Sequence, residues 1–242
     1  MNKIVHKNKP TKNGEGGNNL AGRQYLIDFM GIDDIWRVFR IMAEFAESFE
    51  TLGPLPDAVT VFGSARTPED HPLYAKAREL GRRISREGFA TVTGGGPGIM
   101  EAANRGAYEA DGCSVGLNIE LPLEQEPNPY ITTGLSFRYF FVRKVMLVKY
   151  SIAFVIFPGG FGTLDELFES LTLIQTHRVR RFPVILFDTA YWDGLLAWLK
   201  NRLLEDGNIS PEDLELIQTT DSLDETMEMI KKSELIARSK RV

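Results

Sequence analysis

The hexapeptide Ile152-Ala153-Phe154-Val155-Ile156-Phe157 is apolar at every position and runs directly into Pro158-Gly159-Gly160-Phe161-Gly162-Thr163. With no polar residue at alternate positions, such a segment has no face to offer water, so it suits a strand covered on both sides by helices, as in a parallel sheet. Short β-rich runs recur at 59–62, 89–93, 113–117, 183–187 and 216–219, separated by helical stretches at 73–86, 98–110, 137–150, 163–176, 192–204 and 223–236. This alternation predicts an α/β fold, a doubly wound parallel sheet with helices on both faces, occupying residues 58–242 as a single domain. No internal repeat of fixed period is present. The segment 118–134, with Pro122, Pro127 and Pro129, reads as one long loop of the kind that borders a site.

Two segments precede that domain. Residues 1–22 are rich in Lys, Asn and Gly and hold too little apolar surface to offset the entropy of ordering, so a disordered tail is expected. Residues 23–57 form a helical extension, in which Ile35, Val38, Phe39, Met42, Phe45, Ala46 and Phe49 recur at spacings of three and four. Gly53-Pro54-Leu55-Pro56 ends it. The stripe fits either a helix packed on its own domain or a surface for a partner subunit.

Composition removes several classes of function. The formal charge of −5 disfavours a general nucleic-acid binder. Cys113 is the only cysteine and the three histidines, His6, His71 and His177, are scattered, which leaves no thiolate or imidazole cluster for a metal. No apolar run reaches the ~18 residues of a membrane span, and the basic start leads into a polar stretch rather than a signal-peptide core. The expected compartment is the cytoplasm, with neither nucleic acid nor membrane as a partner.

Seven of the 22 glycines fall in two strand-to-helix turns, Gly94-Gly95-Gly96-Pro97-Gly98 and the Pro158–Thr163 turn. Turns at the carboxyl ends of parallel strands are where such sheets bind ligands, and glycine there lets backbone amides at a helix start approach an anion such as phosphate. Gly95, Gly96, Gly98, Gly159, Gly160 and Gly162 are therefore candidate ligand contacts. Neither turn continues as a P-loop, and Glu101 stands where a dinucleotide fingerprint needs its third glycine, so ATPase and dehydrogenase readings are disfavoured.

Between Pro127 and Leu164 no acid occurs, yet Arg138, Arg143, Lys144 and Lys149 do, a local sign reversal in an acidic chain. Arg143 and Lys144 sit among Phe140, Phe141, Met146 and Leu147, which fits either an anion pocket or cations snorkelling from a core helix. At Thr163-x-x-Glu166 two roles compete. The pair can be a capping box that closes a helix start, or Glu166 can face a ligand, with Asp165 and Glu169 close by.

Taken together, Gly94–Met100 (GGGPGIM), the pair Arg143-Lys144 and Pro158–Glu166 (PGGFGTLDE) resemble the LONELY GUY (LOG) family, often mislabelled possible lysine decarboxylase. The resemblance spans about Ala58 to Thr220. It implies a Rossmann-like phosphoribohydrolase that splits the N-glycosidic bond of nucleoside 5′-monophosphates, cytokinin riboside monophosphates or AMP, into free base and ribose 5-phosphate. It also implies homodimers or larger homo-oligomers with sites near the subunit interface; the single cysteine and dispersed histidines add the expectation that the reaction needs no metal, and no cofactor is expected. On this resemblance Arg143 and Glu166 are catalytic, Lys144, Gly159, Gly160, Gly162 and Thr163 contact phosphate and ribose, and Gly63, Ser64 and Met100 line the nucleotide pocket. The compact members lack the extension of about 57 residues before the first strand. Two other classes stay open: a non-catalytic nucleotide-binding or sensing module on the same fold, and a pyridoxal-phosphate decarboxylase.

Overall fold

The structure, a computed structural model, describes residues 34–121 and 126–239. The expected tail 1–22, and the extension as far as residue 33, lie outside the described residues.

Seven strands among the described residues form one all-parallel sheet: β1 (Ala58–Phe62), β2 (Ala90–Thr93), β3 (Ser114–Ile119), β4 (Thr133–Phe137), β5 (Ser151–Ile156), β6 (Val184–Phe187) and β7 (Ile217–Thr220). Their order is β4-β3-β2-β1-β5-β6-β7. The helices are α1 (Asp34–Leu52), α2 (Pro72–Arg86), α3 (Ile99–Glu109), α4 (Phe140–Lys149), α5 (Phe161–Gln175), α6 (Thr189–Trp198), α7 (Pro211–Leu214) and α8 (Leu223–Ser239), and a π-helical turn, Leu199–Leu204, continues α6. This is the doubly wound, Rossmann-like α/β domain that the alternating pattern predicts.

The uninterrupted apolar run of β5 has its explanation in the two layers. Phe154 and Ile156 join a core with Leu52 of α1, Val142 and Met146 of α4, Leu167 and Ile174 of α5 and Trp192 of α6. Val155 and Phe157 point the other way, toward Leu80 and Ile84 of α2, Ile99 and Ala103 of α3 and Ile230 of α8. Alternate side chains thus enter opposite cores, each fully buried one contributing roughly 1.5–3 kcal/mol. An ionised residue at Phe154 would break the first core, since its ring is fully buried against Phe62 and Phe182 at 5.0 and 4.9 Å.

Strand order reverses between β1 and β5, the switch point at which open α/β sheets hold their ligands. The turns after β1, β2 and β5 all open there.

The structure corrects three local expectations. The long loop 118–134 closes on a strand, β4, whose backbone pairs with β3 from Val115↔Thr133 to Ile119↔Phe137. As a sheet edge it is half exposed and carries Gly134 and Ser136, so it lacks the continuous apolar run that marks the other strands. Because Phe137 belongs to β4, the following helix begins at Phe140 rather than at residue 137. The segment before β7 also holds α7, closed by a capping box between Ser210 and Asp213.

Contacts group the chain into two units, divided after Arg40. In the first, the rings of Trp36 and Phe39 lie 5.9 Å apart. In the second, Ile41, Phe45 and Leu52 of α1 pack on the core, and Glu44 Oε1 accepts the Arg138 N–H at 3.0 Å. Residues 41–52 therefore follow the packing alternative, although Met42 and Phe49 remain exposed. No helix among the described residues is long and apolar enough to cross a membrane.

Candidate active site

Three turns interlock at the switch point. Gly63-Ser64, after β1, lies between the two glycine turns: the Ser64 N–H donates to Pro158 O at 2.9 Å, and Ser64 O accepts from Ile99 N–H at 3.0 Å. A Cβ on Gly63 would stand 2.6 Å from the Ile99 side chain, and one on Gly98 would strike the Ser64 carbonyl. Gly63 makes room for the Ile99 side chain, whereas Gly98 is pressed against the backbone of Ser64 and Ala65 at a φ of +68°.

The first glycine turn is held from behind by a polar network that the sequence reading missed. Gly95 N–H donates to Thr93 Oγ1 at 2.9 Å. The Asn128 side-chain amide donates to Gly95 O, Gly96 O and Asn104 Oδ1 at 3.2, 3.1 and 3.0 Å, and Asn104 in turn donates to Ser114 Oγ at 2.9 Å. All four side chains are buried and satisfied, which rigidifies the turn. The flag in the sequence was Asn128 between two prolines in the long loop, but only the fold brings it to Gly95.

Arg143 and Met100 meet over this turn. A Cβ on Gly94 would collide with the Arg143 guanidinium and lie 2.9 Å from Met100 Sδ. Arg143 comes from α4, and its Nε donates to Leu117 O of β3 at 2.8 Å, so the guanidinium is aimed by the sheet rather than left to solvent. Burial lowers its pKa from the ordinary value, while the charge of Glu166 opposes that shift.

The second turn leads into α5, whose first-turn amides lack intrahelical partners and favour an anion. Gly159 is packed tightly, since a Cβ there would hit Thr163 Oγ1 and lie 3.1 Å from Ser64 N. Its carbonyl accepts the Tyr191 hydroxyl at 2.7 Å, a contact from α6 without a sequence signature. Gly160 and Gly162 differ, because no protein atom stands within 4 Å of where their Cβ atoms would be, their own chain neighbours and helix backbone aside. Nothing inside the protein requires glycine at those two positions.

Glu166 is not a cap. Helix α5 starts at Phe161 with Gly160 as its N-cap residue and without a side-chain cap, so Thr163 and Glu166 fall within the helix rather than at its boundary. Both lie on its buried face. Glu166 is 7% exposed, and its Oε2 has no hydrogen-bond partner. Burial pushes its pKa up to about 7; Lys144 and Arg143 work against the rise, and Glu169 and Asp165 add to it.

The neighbouring acids have other work. Lys144 Nζ sits 2.9 Å from Asp165 Oδ2 and 2.6 Å from Glu169 Oε2. Burial alone would lower the Lys144 pKa, but those two carboxylates hold it above the ordinary value. Of the four cations in the acid-free stretch, the structure brings Arg143 and Lys144 to Glu166. Arg138 pairs with Glu120 at 3.1 Å, and Lys149 lies over the rings of Phe49 and Tyr150. Glu101 accepts the Tyr74 hydroxyl at 2.8 Å. Among the described residues no group of three or more His, Cys, Asp or Glu is placed to hold a metal ion.

The family model described as "Possible lysine decarboxylase" matches residues 100–230, more than half of the chain. A cytokinin riboside 5′-monophosphate phosphoribohydrolase from Mycobacterium tuberculosis is 32% identical over 172 residues, covering 67% of this chain and 88% of that protein. The chain belongs to the LOG family. Solved structures similar to this LOG-family chain include the structural genomics target TM1055, at TM-score 0.57 and 22% identity over 73% of this chain and 99% of that one. Another is a molybdenum cofactor binding protein from Rippkaea orientalis, at TM-score 0.53 and 26% identity over 72% and 95%. The family match begins at Met100, beside the first glycine turn.

Proposed function

We propose that this LOG-family chain hydrolyses the N-glycosidic bond of purine or cytokinin nucleoside 5′-monophosphates, giving free base and ribose 5-phosphate. The observation that carries the reading is Glu166: a buried carboxylate with an unpartnered oxygen, set beside Arg143 and two glycine turns. A site built only to bind an anion would gain nothing from an extra carboxylate, which repels phosphate. Cleavage at the anomeric carbon passes through a ribosyl-cation-like state, and there a carboxylate in a low-dielectric setting is stabilising.

The substrate phosphate would rest on the first-turn amides of α5 above Gly160 and Gly162, with Thr163 alongside. The bond from the anomeric carbon to the base nitrogen breaks, and its electron pair leaves with the base, which takes up a proton. Water supplies the new C–O bond and gives its proton to Glu166. With its pKa near neutrality, Glu166 is poised for that transfer. Arg143, fixed by Leu117 O, holds substrate and carboxylate in register. Phosphate binding, remote from the reacting bond, supplies the energy for that positioning.

Incubation of the purified chain with a panel of nucleoside 5′-monophosphates, in the presence of EDTA, tests this by release of free base. AMP is expected to be cleaved and adenosine to be nearly inert. Tight binding without release would favour a non-catalytic module, a reading supported by the likeness to a molybdenum cofactor binding protein. A decarboxylase reading finds no support at Lys144, whose two carboxylates keep it protonated and unfit to form a Schiff base.

The same reading includes a second subunit. Phe161 is 92% exposed, Phe140, Phe141 and Val145 are exposed as well, and an open depression of about 640 Å³ lies between Lys144 and the outer residues of α5. A partner copy over this face would bury the aromatic rings beside Glu166. The compartment we propose for the reaction is the cytoplasm.

A further inference from the structure

A second cavity, of about 440 Å³, lies at the opposite end of the sheet from the glycine turns, where β6 and β7 begin and α8 passes over them. Such a volume is that of a small-molecule pocket. Three kinds of group line it.

The first is a polar group out of place. Gln218 pairs in register with Ile185, and Ile185 faces the core under α8. Paired residues of neighbouring strands share a face, so Gln218 occupies a position that the strand pattern would fill with an apolar side chain. Its Oε1 is buried with no hydrogen-bond partner. A buried amide left unpaired is costly and calls for a partner from outside the chain.

The second is charge. Arg180 and Arg181, from the α5–β6 connection, and Lys232, from α8, line the cavity against a single acid, Glu215. None of the three cations makes an ion pair among the described residues, and Arg181 is oriented by donating to the Glu215 carbonyl at 2.8 Å. In a chain of net charge −5, three cations around one opening create a local anion site. The third is an apolar wall, supplied by Leu216 and Met229.

We propose that this cavity is a second ligand site, and that it takes a purine nucleotide, whose base meets the Gln218 amide and the apolar wall while its phosphates meet Arg180, Arg181 and Lys232. A side-chain amide matches the donor and acceptor pattern along an adenine edge, and guanidinium groups bind phosphate oxygens in pairs. The site is separate from the glycine turns and lies at the other end of the strands. The inference stands independently of the reading given for Glu166.

Calorimetric titration of the full chain with ATP tests it, using the parent, Arg181→Glu/Lys232→Glu, and Gln218→Leu. Saturable binding is expected for the parent, weakened at least about tenfold by the charge reversal through loss of charge-assisted hydrogen bonds. Gln218→Leu keeps the cations and the side-chain bulk, so it should weaken ATP while leaving inorganic triphosphate unchanged. Melting temperature checks folding, and if the charge-reversed chain does not fold, Gln218→Leu decides alone. ATP affinity equal in parent and variants would place the nucleotide at the glycine turns and overturn the proposal. Absence of binding up to millimolar ATP would overturn it as well.

Discussion

The two glycine turns look alike in sequence and are unlike in structure. In the turn after β2, the glycines answer to the protein: Gly95 and Gly98 have φ of +75° and +68°, and Cβ atoms on them would strike Asn118 and the Ser64 carbonyl. In the turn after β5, Gly160 and Gly162 face open space. The first set is fixed by the chain's own packing and backbone conformation, whereas the second borders open space at the start of α5. Glu166, one helical turn beyond the second set, shares that character, because its buried oxygen lacks any protein partner. Stability and activity should therefore separate between the two turns.

The largest effect is expected at Glu166. Glu166→Gln preserves shape but removes the negative charge, so kcat should fall by about 100-fold or more, the scale seen for lost electrostatic or acid–base groups. In the parent, kcat/KM should decline as pH drops below about 7, where the carboxyl takes its proton. A variant with normal turnover would return Glu166 to a structural role and dissolve the contrast.

The same substitution should make the fold more stable. The Glu166 pKa is raised from an ordinary 4.5 to about 7 in the folded chain. The folded state therefore holds the proton more tightly than the unfolded state, and stability falls as pH rises from about 4.5 toward 7. Above that range the penalty is complete, up to about 3 kcal/mol at 1.36 kcal/mol per unit. Denaturant titrations should show Glu166→Gln more stable than the parent at pH 8 and equal to it at pH 4. A variant less stable than the parent at pH 8 would mean that Glu166 has a stabilising partner.

Gly98→Ala probes the other turn. At φ +68° an Ala side chain is strained, and here it also meets Ser64 O and Ala65, so a loss of roughly 1–3 kcal/mol is expected. Thermal melting of the ligand-free chain measures it. An unchanged melting temperature would show that this turn yields, and that the two turns are alike after all.

How much of this was legible beforehand follows from which signals are local. The β5 run and the PGGFGTLDE string carry their meaning in adjacent residues, so the parallel sheet and the second glycine turn could be read directly; Arg143 and Glu166 are singled out by the family resemblance, and the fold places their charges within reach of each other. Strand β4 could not, because an edge strand is covered on one side and Thr133-Gly134-Leu135-Ser136-Phe137 has neither a long apolar run nor strong β propensity. The capping-box reading of Thr163 and Glu166 placed the N-cap three residues too late, at Thr163 instead of Gly160, since Phe161-Gly162 looks like turn and is helix. Asn104, Asn128 and Tyr191 act through contacts spanning 10 to 33 positions, which no spacing rule anticipates.

The smallest effect is the sharpest test of the comparison, because two readouts should move in opposite directions. Gly162 lies in the first turn of α5 with ordinary helical surroundings and open space beyond its Cα. Ala is the better helix former there, so Gly162→Ala should stabilise the ligand-free chain by about 0.5–1 kcal/mol, against the loss expected for Gly98→Ala. The added methyl enters the space proposed for the phosphate, so KM for AMP should rise about tenfold, a cost of ~1.4 kcal/mol, with little change in kcat. Steady-state kinetics beside a melting curve gives both numbers from one preparation. A stabilised variant with unaltered KM would mean that the phosphate sits elsewhere, and that the open space at the second turn has another use. A destabilised one would show that Gly162, like Gly98, serves the fold.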